Sequence, residues 1–429
     1  MIPFPLTISL LLLFILGTST SGCEAENVTL VQDISDMRLA ARAGILDRLK
    51  YKMPNPPVPT FDYQRPFHQR IIAVGDFHGD FRNARKVLEL SGVVDSEGNW
   101  SGSVHVFVQL GDVIGGGPDT RKLITFLEML RRQAQIKEGN VFTLMGKHEF
   151  MNLLGDWRYV PLKVVDLLDS NAGERGVGKR DLRSFGGWQE RWKEIRGWIG
   201  GIWADKYITA LRLPLHPSIG APNTPPKSRW SKSTSLCNAA LSFVHGGLSP
   251  HYLDLTPFPT KINDISKKFI NKLRRREISK PTPPNTELVK LSKSETTVQE
   301  DDLWDEEGPL RYDGWARTKP DSARFCKEVD DILKRTGTRR MIIAPKVHTE
   351  IRSRCNGKVF LIDTGISYWS KNTLSWLMID YSVTPAGEQG GFLKLEEKEV
   401  VHAMYVNNRA EKLVDITRTI DLKPRYNCG

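Results

Sequence analysis

The amino-acid sequence predicts an α/β fold in which two layers of β-sheet are flanked by helices. Between residues 71 and 149 an apolar strand, a polar tip and a helix follow one another repeatedly, which is typical of a parallel sheet. The second half returns to short apolar strands and ends in β structure, which we expect to be antiparallel. Asp or His follows most of these strands, and ligands bind beyond the carboxyl ends of strands in such sheets.

The first half supplies three strands of buried type, each a short apolar run. Gly-Asp follows the first two strands, and Gly-Lys-His-Glu follows the third. The segments between them place apolar residues at helical spacing. The predicted strands span residues 71–74, 104–110 and 141–145, and the predicted helices span residues 82–90 and 121–135.

The second half is less regular at first. Four tryptophans lie on a helical stretch, and their spacing favours packing in a core or lid over a binding platform; they are Trp188, Trp192, Trp198 and Trp203. Residues 214–235 have loop composition, and residues 262–300 are charged and helical with interrupting prolines. Further strands are predicted at 241–244, 341–344, 359–362, 374–379, 392–395 and 400–406, and a helix at 322–335.

The composition excludes several classes of protein. The chain has 429 residues, 40% hydrophobic and 26% charged, which permits one large domain or two ordinary ones and excludes wholesale disorder. The net charge of +11 is spread along the chain without a nucleic-acid-reading motif, so we expect no nucleic-acid partner. No second apolar segment of spanning length and no internal repeat follow the N-terminus, which excludes a polytopic membrane protein and a solenoid.

The N-terminus has the pattern of a secretory signal. Residues 6–16 form an apolar segment of signal-peptide length, and small residues follow from Gly17 to Gly22. We predict a signal peptide at residues 1–25, with an uncleaved signal anchor as the alternative, and a Pro-rich lead-in at residues 26–67. The expected location is the secretory pathway: the endoplasmic reticulum lumen, the exterior or the vacuole.

The cysteines and glycosylation sequons agree with that location. Cleavage after Ala25 leaves four cysteines, an even number that is compatible with disulfides. Two sequons follow the signal, at Asn27 and Asn99, and predict a glycoprotein. No CxxC pair is present, so a zinc ribbon is unsupported.

Six residues at predicted strand tips carry the chemistry: Asp76, His78, Asp112, His148, His245 and His348. Imidazole nitrogens and carboxylate oxygens suit Zn²⁺, Mn²⁺ or Fe, and a carboxylate shared by two metals would let them activate a water for attack on phosphorus. Any one of these histidines alone would be read as structural. Their common position predicts a divalent-metal site.

The motifs around these residues resemble those of the calcineurin-like metallophosphoesterases, and within them the Shewanella-like group of phosphoprotein phosphatases. Gly75-Asp76-Phe77-His78-Gly79 matches GDxHG, residues 111–117 align with GDxxDRG, and residues 146–149 align with GNHE. The HGG motif is at residues 245–247, and residues 346–349 stand where the family has GHT. The resemblance implies a metallophosphoesterase domain at residues 68–408, followed by a tail at residues 409–429.

The resemblance also implies a ligand for each metal, and one is changed. The first metal would be held by Asp76, His78 and Asp112, which are intact. Asp112 would bridge to a second metal, which His245 and His348 would hold together with the Asn of GNHE. That Asn is Lys147 in this chain. The resemblance therefore implies one intact metal site and one impaired site.

The phosphate-binding and acid-orienting positions are degenerate too. In the family, the Asp of DRG orients the general-acid His and the Arg grips the phosphate; these positions are Gly115 and Gly116 here. His148 is retained as the catalytic acid without its orienting carboxylate. A second phosphate arginine of the Shewanella-like group would align with Asp313.

Three nearby residues are candidates for compensation. Arg121 and Arg311 are candidate phosphate contacts, and the ordinary alternative for both is a surface charge. Asp119 could orient His148, and its alternative is a cap on the following helix.

The sequence therefore predicts a phosphatase-like protein with weak or lost catalysis, acting as a binding or regulatory pseudophosphatase. The alternative is an active metal-dependent phosphoric monoester hydrolase with an altered site and Ser/Thr-type phosphatase chemistry. The expected partners are a phosphorylated protein or a small phosphoester, with no membrane span after signal removal. The sequence indicates no oligomeric state.

Overall fold

A computed structural model describes residues 62–160, 190–225, 235–276, 294–317, 321–389, 392–406 and 408–422. The predicted signal peptide, nearly all of the lead-in, Trp188 and the Asn27 sequon lie outside the described residues. No described helix is long and apolar enough to cross a membrane.

The described chain forms two mixed sheets. One has the strand order β11-β10-β9-β1-β2-β3 and the other β4-β5-β6-β8-β7. The strands are β1 (Phe67–Val74), β2 (Val106–Gln109), β3 (Asn140–Thr143), β4 (Ala210–Pro214), β5 (Ala240–Val244), β6 (Arg340–Ile343), β7 (Arg352–Arg354), β8 (Val359–Leu361), β9 (Ser375–Gln389), β10 (Phe392–Tyr405) and β11 (Ala410–Leu422).

Helices accompany the strands. They are α1 (Phe81–Leu90), α2 (Thr120–Ile136), α3 (Lys147–Leu154), α4 (Gly200–Lys206), α5 (Thr260–Arg275), α6 (Val298–Trp304), α7 (Gly314–Arg317) and α8 (Ala323–Thr336). The predicted α/β fold with two sheet layers is confirmed.

The parallel strands lie side by side, at one edge of the first sheet and in the middle of the second. Strand β2 pairs parallel to β1 and β3, and β6 pairs parallel to β5 and β8. The long strands β9, β10 and β11 add an antiparallel meander to the first sheet. The predicted strands at 392–395 and 400–406 are one strand, and residues 410–422, assigned to the tail, pair with β10.

Alternation along the strands explains why the sheets are buried on both faces. In β1, Ile71 and Ala73 belong to a core cluster shared with the other sheet, while Ile72 and Val74 belong to the cluster that includes the helices. Successive side chains of a strand point to opposite faces, so an entirely apolar strand fits a sheet covered on both sides.

The described tryptophans of the helical stretch agree only in part with the prediction of core or lid packing. Trp192 and Trp203 are buried in the core, whereas Trp198 is exposed. Core packing is thus confirmed for the first two. The structure adds three elements for which the sequence pattern gives no bounds: the helix α3, the strand β4, whose last residue lies in the predicted loop, and the short strand β7.

A disulfide joins Cys326 in α8 to Cys355, just after β7. We expect Cys326→Ser to lower the free energy of unfolding by about 3–4 kcal/mol, because the bond closes a loop with a sequence separation of 29. Urea unfolding with and without reductant would measure this. Reductant should move the unfolding curve of the wild type to lower urea concentration, toward that of the variant, which has no such bond to lose. Equal unfolding curves for wild type and variant without reductant would contradict the prediction.

Candidate functional site

The turns that follow β1 and β2 are bonded to each other and place the first candidate ligands. The backbone N–H groups of Phe77 and His78 donate to the carbonyl of Asp112, at 3.1 and 2.9 Å. His78 and Asp112 both have a left-handed backbone, with φ of 44° and 49°. Such strain in non-glycine residues persists where the surroundings enforce it, commonly at functional sites.

Asp112 lies at the centre of two groups of potential metal ligands. One group contains His78, Asp112 and His148, and the other contains Asp76, Asp112 and His245; within each group the ligand atoms lie within 4.8 Å of one another. His78 Nε2 also lies 3.5 Å from Asp76 Oδ2. The structure thus brings together the three residues expected at the intact site and gives Asp112 the shared position.

His245 is held in a fixed orientation. Its Nδ1 lies 3.0 Å from the carbonyl of Leu110, to which it can donate, and its Nε2 lies 3.4 Å from Asp112 Oδ2. Burial disfavours the imidazolium, but the carboxylates of Asp112 and Asp76 outweigh burial and raise the pKa of His245 to about 10.

His348 is the candidate ligand that the structure does not place in either group. Its backbone N–H donates to Asp363 O at 2.9 Å, and its Nε2 is buried without a hydrogen-bond partner among the described residues. Burial, and then the charges of Arg352 and Lys346, lower its pKa to about 4. A neutral imidazole with a free buried nitrogen has the chemistry of a metal ligand.

The donor set fits a divalent cation. Burial, and then the charge of Asp363, raise the pKa of Asp76 well above its usual range, and Asp76 Oδ1 has no hydrogen-bond partner among the described residues. Burial would also raise the pKa of Asp112, but the nearby His245 and His148 hold it well below its usual range. Buried carboxylates with orphaned oxygens need a positive charge, which a metal supplies.

Two buried acids of the site were assigned no role from the sequence. Glu149 accepts hydrogen bonds from the backbone N–H groups of Asp112, Gly146 and Ile114, and so ties the β2 and β3 turns together. Burial, and then Asp112, raise its pKa to about 7. Asp363 follows β8 and is buried near Asp76. Its position after an apolar strand was the available signal.

His148 is the second residue of helix α3, and its Nε2 lies 3.7 Å from Oδ2 of the shared carboxylate of Asp112. Its backbone N–H donates to Asp112 Oδ1 at 2.7 Å, and its ring lies 4.8 Å from that of His78. Burial lowers the pKa of His148 to about 4, against the opposing effect of Asp112.

Gly115 lies beside both His148 and His78, with little room for a side chain. A Cβ at Gly115 would lie 3.4 Å from His148 Nδ1 but only 2.6 Å from His78 Nδ1, and Gly115 has a φ of +148°. An Asp at this position would therefore be strained and would push against a candidate ligand. A Cβ at Gly116 would make only ordinary contact with Trp369, at 3.5 Å.

Lys147 and His245 line the same cavity of about 250 Å³. Arg311 and Asp313 line it too, because the N–H of Gly246 bonds to Pro309 O and brings residues 308–314 against the HGG motif. Arg311 packs over Trp304 and lies 3.9 Å from the exposed Glu306, while Asp313 is paired with Arg317. The structure thus places Lys147, Arg311 and Asp313 at the site.

Arg121 and Asp119 have other contacts. Arg121 is half exposed and paired with Glu194 at 2.8 Å, and it is not among the described residues that line the cavity. Asp119 is at the N-cap position of α2 without making a side-chain cap, and it accepts instead from the N–H of Phe81. No described contact joins it to His148.

Comparison with known proteins agrees with the geometry. The family model described as calcineurin-like phosphoesterase matches residues 69–333. An uncharacterised protein of Schizosaccharomyces pombe is 31% identical over 303 residues, which are 69% of this chain and 73% of that protein.

Two named relatives are phosphatases. Shewanella-like protein phosphatase 2 of Arabidopsis thaliana is 40% identical over 101 residues, which cover 24% of this chain and 25% of that protein. Shewanella-like protein phosphatase 1 of Plasmodium berghei is 26% identical over 70% of this chain and 68% of its own length.

A solved structure shares the fold. The cold-active protein-tyrosine phosphatase of a psychrophilic Shewanella species superimposes with a TM-score of 0.50 at 19% identity, over 81% of this chain and 80% of that one. Family model, relatives and fold agree: the chain belongs to the calcineurin-like phosphoesterases.

Proposed function

We propose that this protein binds phosphoesters with weak or lost catalysis and acts as a binding or regulatory pseudophosphatase. The observation that carries the proposal is that Lys147 and His245 line one cavity. A cationic side chain thereby stands where the family has a metal-binding Asn, beside a residue that the family uses for the same metal.

Electrostatics explains why Lys147 impairs the second metal position. Two unit positive charges 4 Å apart repel by about 4 kcal/mol at an effective dielectric constant of 20, and a divalent metal about doubles this. The three residues that would hold the first metal, Asp76, His78 and Asp112, are two carboxylates and one imidazole, and none of them is a Lys or Arg. We therefore expect one metal to be bound well and a second one poorly.

A metal bound by Asp76, His78 and Asp112 would supply a Lewis acid that polarises a phosphoryl oxygen. Mn, Fe and Zn all suit this mixture of imidazole and carboxylate. Among the protein's own residues, Asp112 holds the backbone of His148. Lys147 and Arg311 would offer positive charge to an anionic group in the cavity, which also contains the carboxylates of Glu306, Glu307 and Asp313.

The loss of two family side chains lowers the expected rate. Gly116 offers no guanidinium to a phosphate, and Gly115 offers no carboxylate to His148. Removal of one well-placed transition-state contact typically costs about 10²–10³ in rate. Residues that act as a unit are not additive, so the combined loss is smaller than the product of single losses.

Arg311 favours a second candidate function, an active phosphoesterase with an altered site. It lies in the cavity with Lys147, so two cations could replace the missing clamp. The names of the phosphatase relatives from Arabidopsis and Plasmodium support this alternative as well.

Metal analysis of the purified protein, combined with hydrolysis of an aryl phosphate in Mn²⁺, tests the proposal. We expect no more than one tightly held metal per chain and turnover far below that of ordinary phosphatases. Two tightly held metals with ordinary turnover would support the active enzyme and contradict the pseudophosphatase.

We also propose that the protein enters the secretory pathway. The signal-like N-terminus, the Cys326–Cys355 disulfide and the Asn99 sequon support this. Disulfides persist in oxidising compartments. A phosphorylated protein or a small phosphoester in that compartment is the proposed partner.

N-terminal sequencing of the mature protein should find a start near residue 23 to 26. Glycosidase treatment should lower the mass of the wild type. The mass lost by the Asn99→Gln variant should be smaller, by the mass of the glycan at Asn99. Met1 on a mature, soluble protein would rule out a cleaved signal peptide.

A further inference from the structure

Among the described residues, three exposed aromatic side chains lie close to the candidate site. Tyr159 is 52% exposed, Tyr368 72% and Trp369 58%. Burial of a large apolar side chain lowers the free energy. Aromatic rings that are exposed to water beside a ligand site are therefore candidates for contact with a ligand.

Trp369 covers the turn from which the phosphate arginine is missing. A Cβ built on Gly116 would contact Trp369 Cβ at 3.5 Å and Cγ at 3.9 Å. A ligand that approaches Gly116 therefore meets an indole where the family presents a guanidinium. Position 116 therefore offers no side-chain cation to a phosphate, and an exposed apolar side chain lies beside it.

The loop that carries Trp369 is firmly attached to α1. The N–H of Tyr368 donates to Asp80 Oδ2 at 2.8 Å, and Asn83 Nδ2 donates to the carbonyl of Ile366 at 2.8 Å. The N–H of Trp369 donates to Ser367 Oγ. Rings on such a fixed backbone lose little entropy when they bind a ligand.

Tyr159 approaches His148 from another element, the segment after α3. Its ring centroid lies 5.3 Å from that of His148 and 5.8 Å from Lys147 Nζ. Lys147 belongs to the charged cavity with Arg311. Aromatic surface therefore adjoins positive charge around His148, the residue that in the family faces the group leaving the phosphate.

We propose that Trp369 and Tyr159 form a subsite for a flat aromatic ring carried by a phosphate group. The proposal rests on the proposed phosphoester-binding function, since Lys147, Arg311 and the metal would hold the phosphate while the ring stacks beside it. The ring could come from an aryl phosphate or from the base of a nucleotide, because both offer the same stacking surface.

Binding of non-hydrolysable ligands to the full mature chain in Mn²⁺ tests the subsite by calorimetry, without relying on turnover. Phenylphosphonate and the phosphonate analogue of adenosine monophosphate, in which a methylene group replaces the ester oxygen, represent the two ring sources, and methylphosphonate is the ringless match. At least one ring ligand should bind about 10-fold tighter than methylphosphonate, because the stacking of one ring typically increases affinity by about this factor.

Variants locate the preference. Trp369→Ala should reduce the ratio of ring to ringless affinity to near 1, and Tyr159→Leu should reduce it partly. Ile136→Ala is the control, because Ile136 is 83% exposed at the far end of α2 and should leave the ratio unchanged.

The outcomes separate the subsite from the proposed function. If the ring ligands and methylphosphonate bind equally, or if the preference survives in folded Trp369→Ala, the subsite is refuted while phosphoester binding stands. If no phosphonate and no inorganic phosphate binds the metal-loaded protein, the proposed function fails and the subsite with it. Stronger binding of phenylphosphonate or of the nucleotide analogue supports the subsite and identifies the source of the ring.

Discussion

Asp112→Asn should lower the affinity of the protein for Mn²⁺ by at least ~10²-fold. Asp112 is the residue common to both groups of potential ligands among the described residues. Changes in residues that merely support metal ligands already cost about 10–100-fold in affinity, so removing the charge of a shared ligand should cost at least the upper end of that range.

This substitution isolates the charge of the carboxylate. Asp112 has a φ of +49°, a left-handed conformation that Asn tolerates well. The retained side-chain oxygen can still accept the hydrogen bond that His148 N–H gives to Asp112 Oδ1. We therefore expect the backbone of the two turns to survive.

Metal content after dialysis and Mn²⁺ titration calorimetry would measure the effect. Asp119→Asn is the matched control, because Asp119 is a nearby part-exposed carboxylate that bonds to the N–H of Phe81 and lies outside both groups. Unchanged Mn²⁺ affinity in folded Asp112→Asn would remove Asp112 from the metal site and with it the proposed centre.

The position of Asp and His residues at the ends of strands was predictable because it depends on local pattern. A short apolar run that is followed by Gly-Asp or by His predicts a buried strand with a polar residue at its end. This prediction needs no knowledge of residues that are distant in the sequence. The parallel pairing of β1 with β2 then brings Asp76 and Asp112 to neighbouring strand ends. The second sheet packs on the first, and this places His245, which follows β5, beside them.

The contacts that join distant segments were not predictable in this way. Glu149 binds two turns at once, and nothing in its sequence neighbourhood states which N–H groups it will accept from. Arg121 was a candidate phosphate contact by its nearness to the degenerate motif, yet the fold pairs it with Glu194. Trp369 lies over Gly116 although about 250 residues separate them in sequence.

The structure also changes which repairs of the site are feasible. From sequence alone, Gly115→Asp, Gly116→Arg and Lys147→Asn would restore the family pattern together. The left-handed φ of Gly115 and the 2.6 Å approach of its Cβ position to His78 Nδ1 make Gly115→Asp damaging. Gly116 has ordinary space, so Lys147→Asn with Gly116→Arg is the pair to test.

This double variant should hydrolyse aryl phosphate at least ~10²-fold faster than the parent, since one well-placed transition-state contact contributes about that much. Lys147→Asn replaces a repelling cation by a ligand oxygen and should raise metal occupancy before it raises turnover. Gly116→Arg then offers a bidentate guanidinium for a phosphate, although the arginine must share its space with Trp369.

Two matched controls separate the causes. Lys147→Met removes the cation without supplying a ligand, so its metal occupancy should lie between those of the parent and Lys147→Asn. Gly116→Met fills similar space beside Trp369 without charge and should not raise turnover. Circular dichroism and thermal unfolding would show that each variant is folded before rates are compared.

The parent protein decides how the result is read. If it already turns over at ordinary phosphatase rates with Lys147 in place, the pseudophosphatase proposal is wrong, and Lys147 becomes a phosphate-binding group beside Arg311 in a working site. If the parent is slow and Lys147→Asn gains a second metal but no rate, the missing clamp at Gly116 is the limiting defect. A rate gain that appears only in the double variant would mean that both changes are needed for turnover. The cation must be removed from the proposed second metal position, and a guanidinium must be available to bind the phosphate.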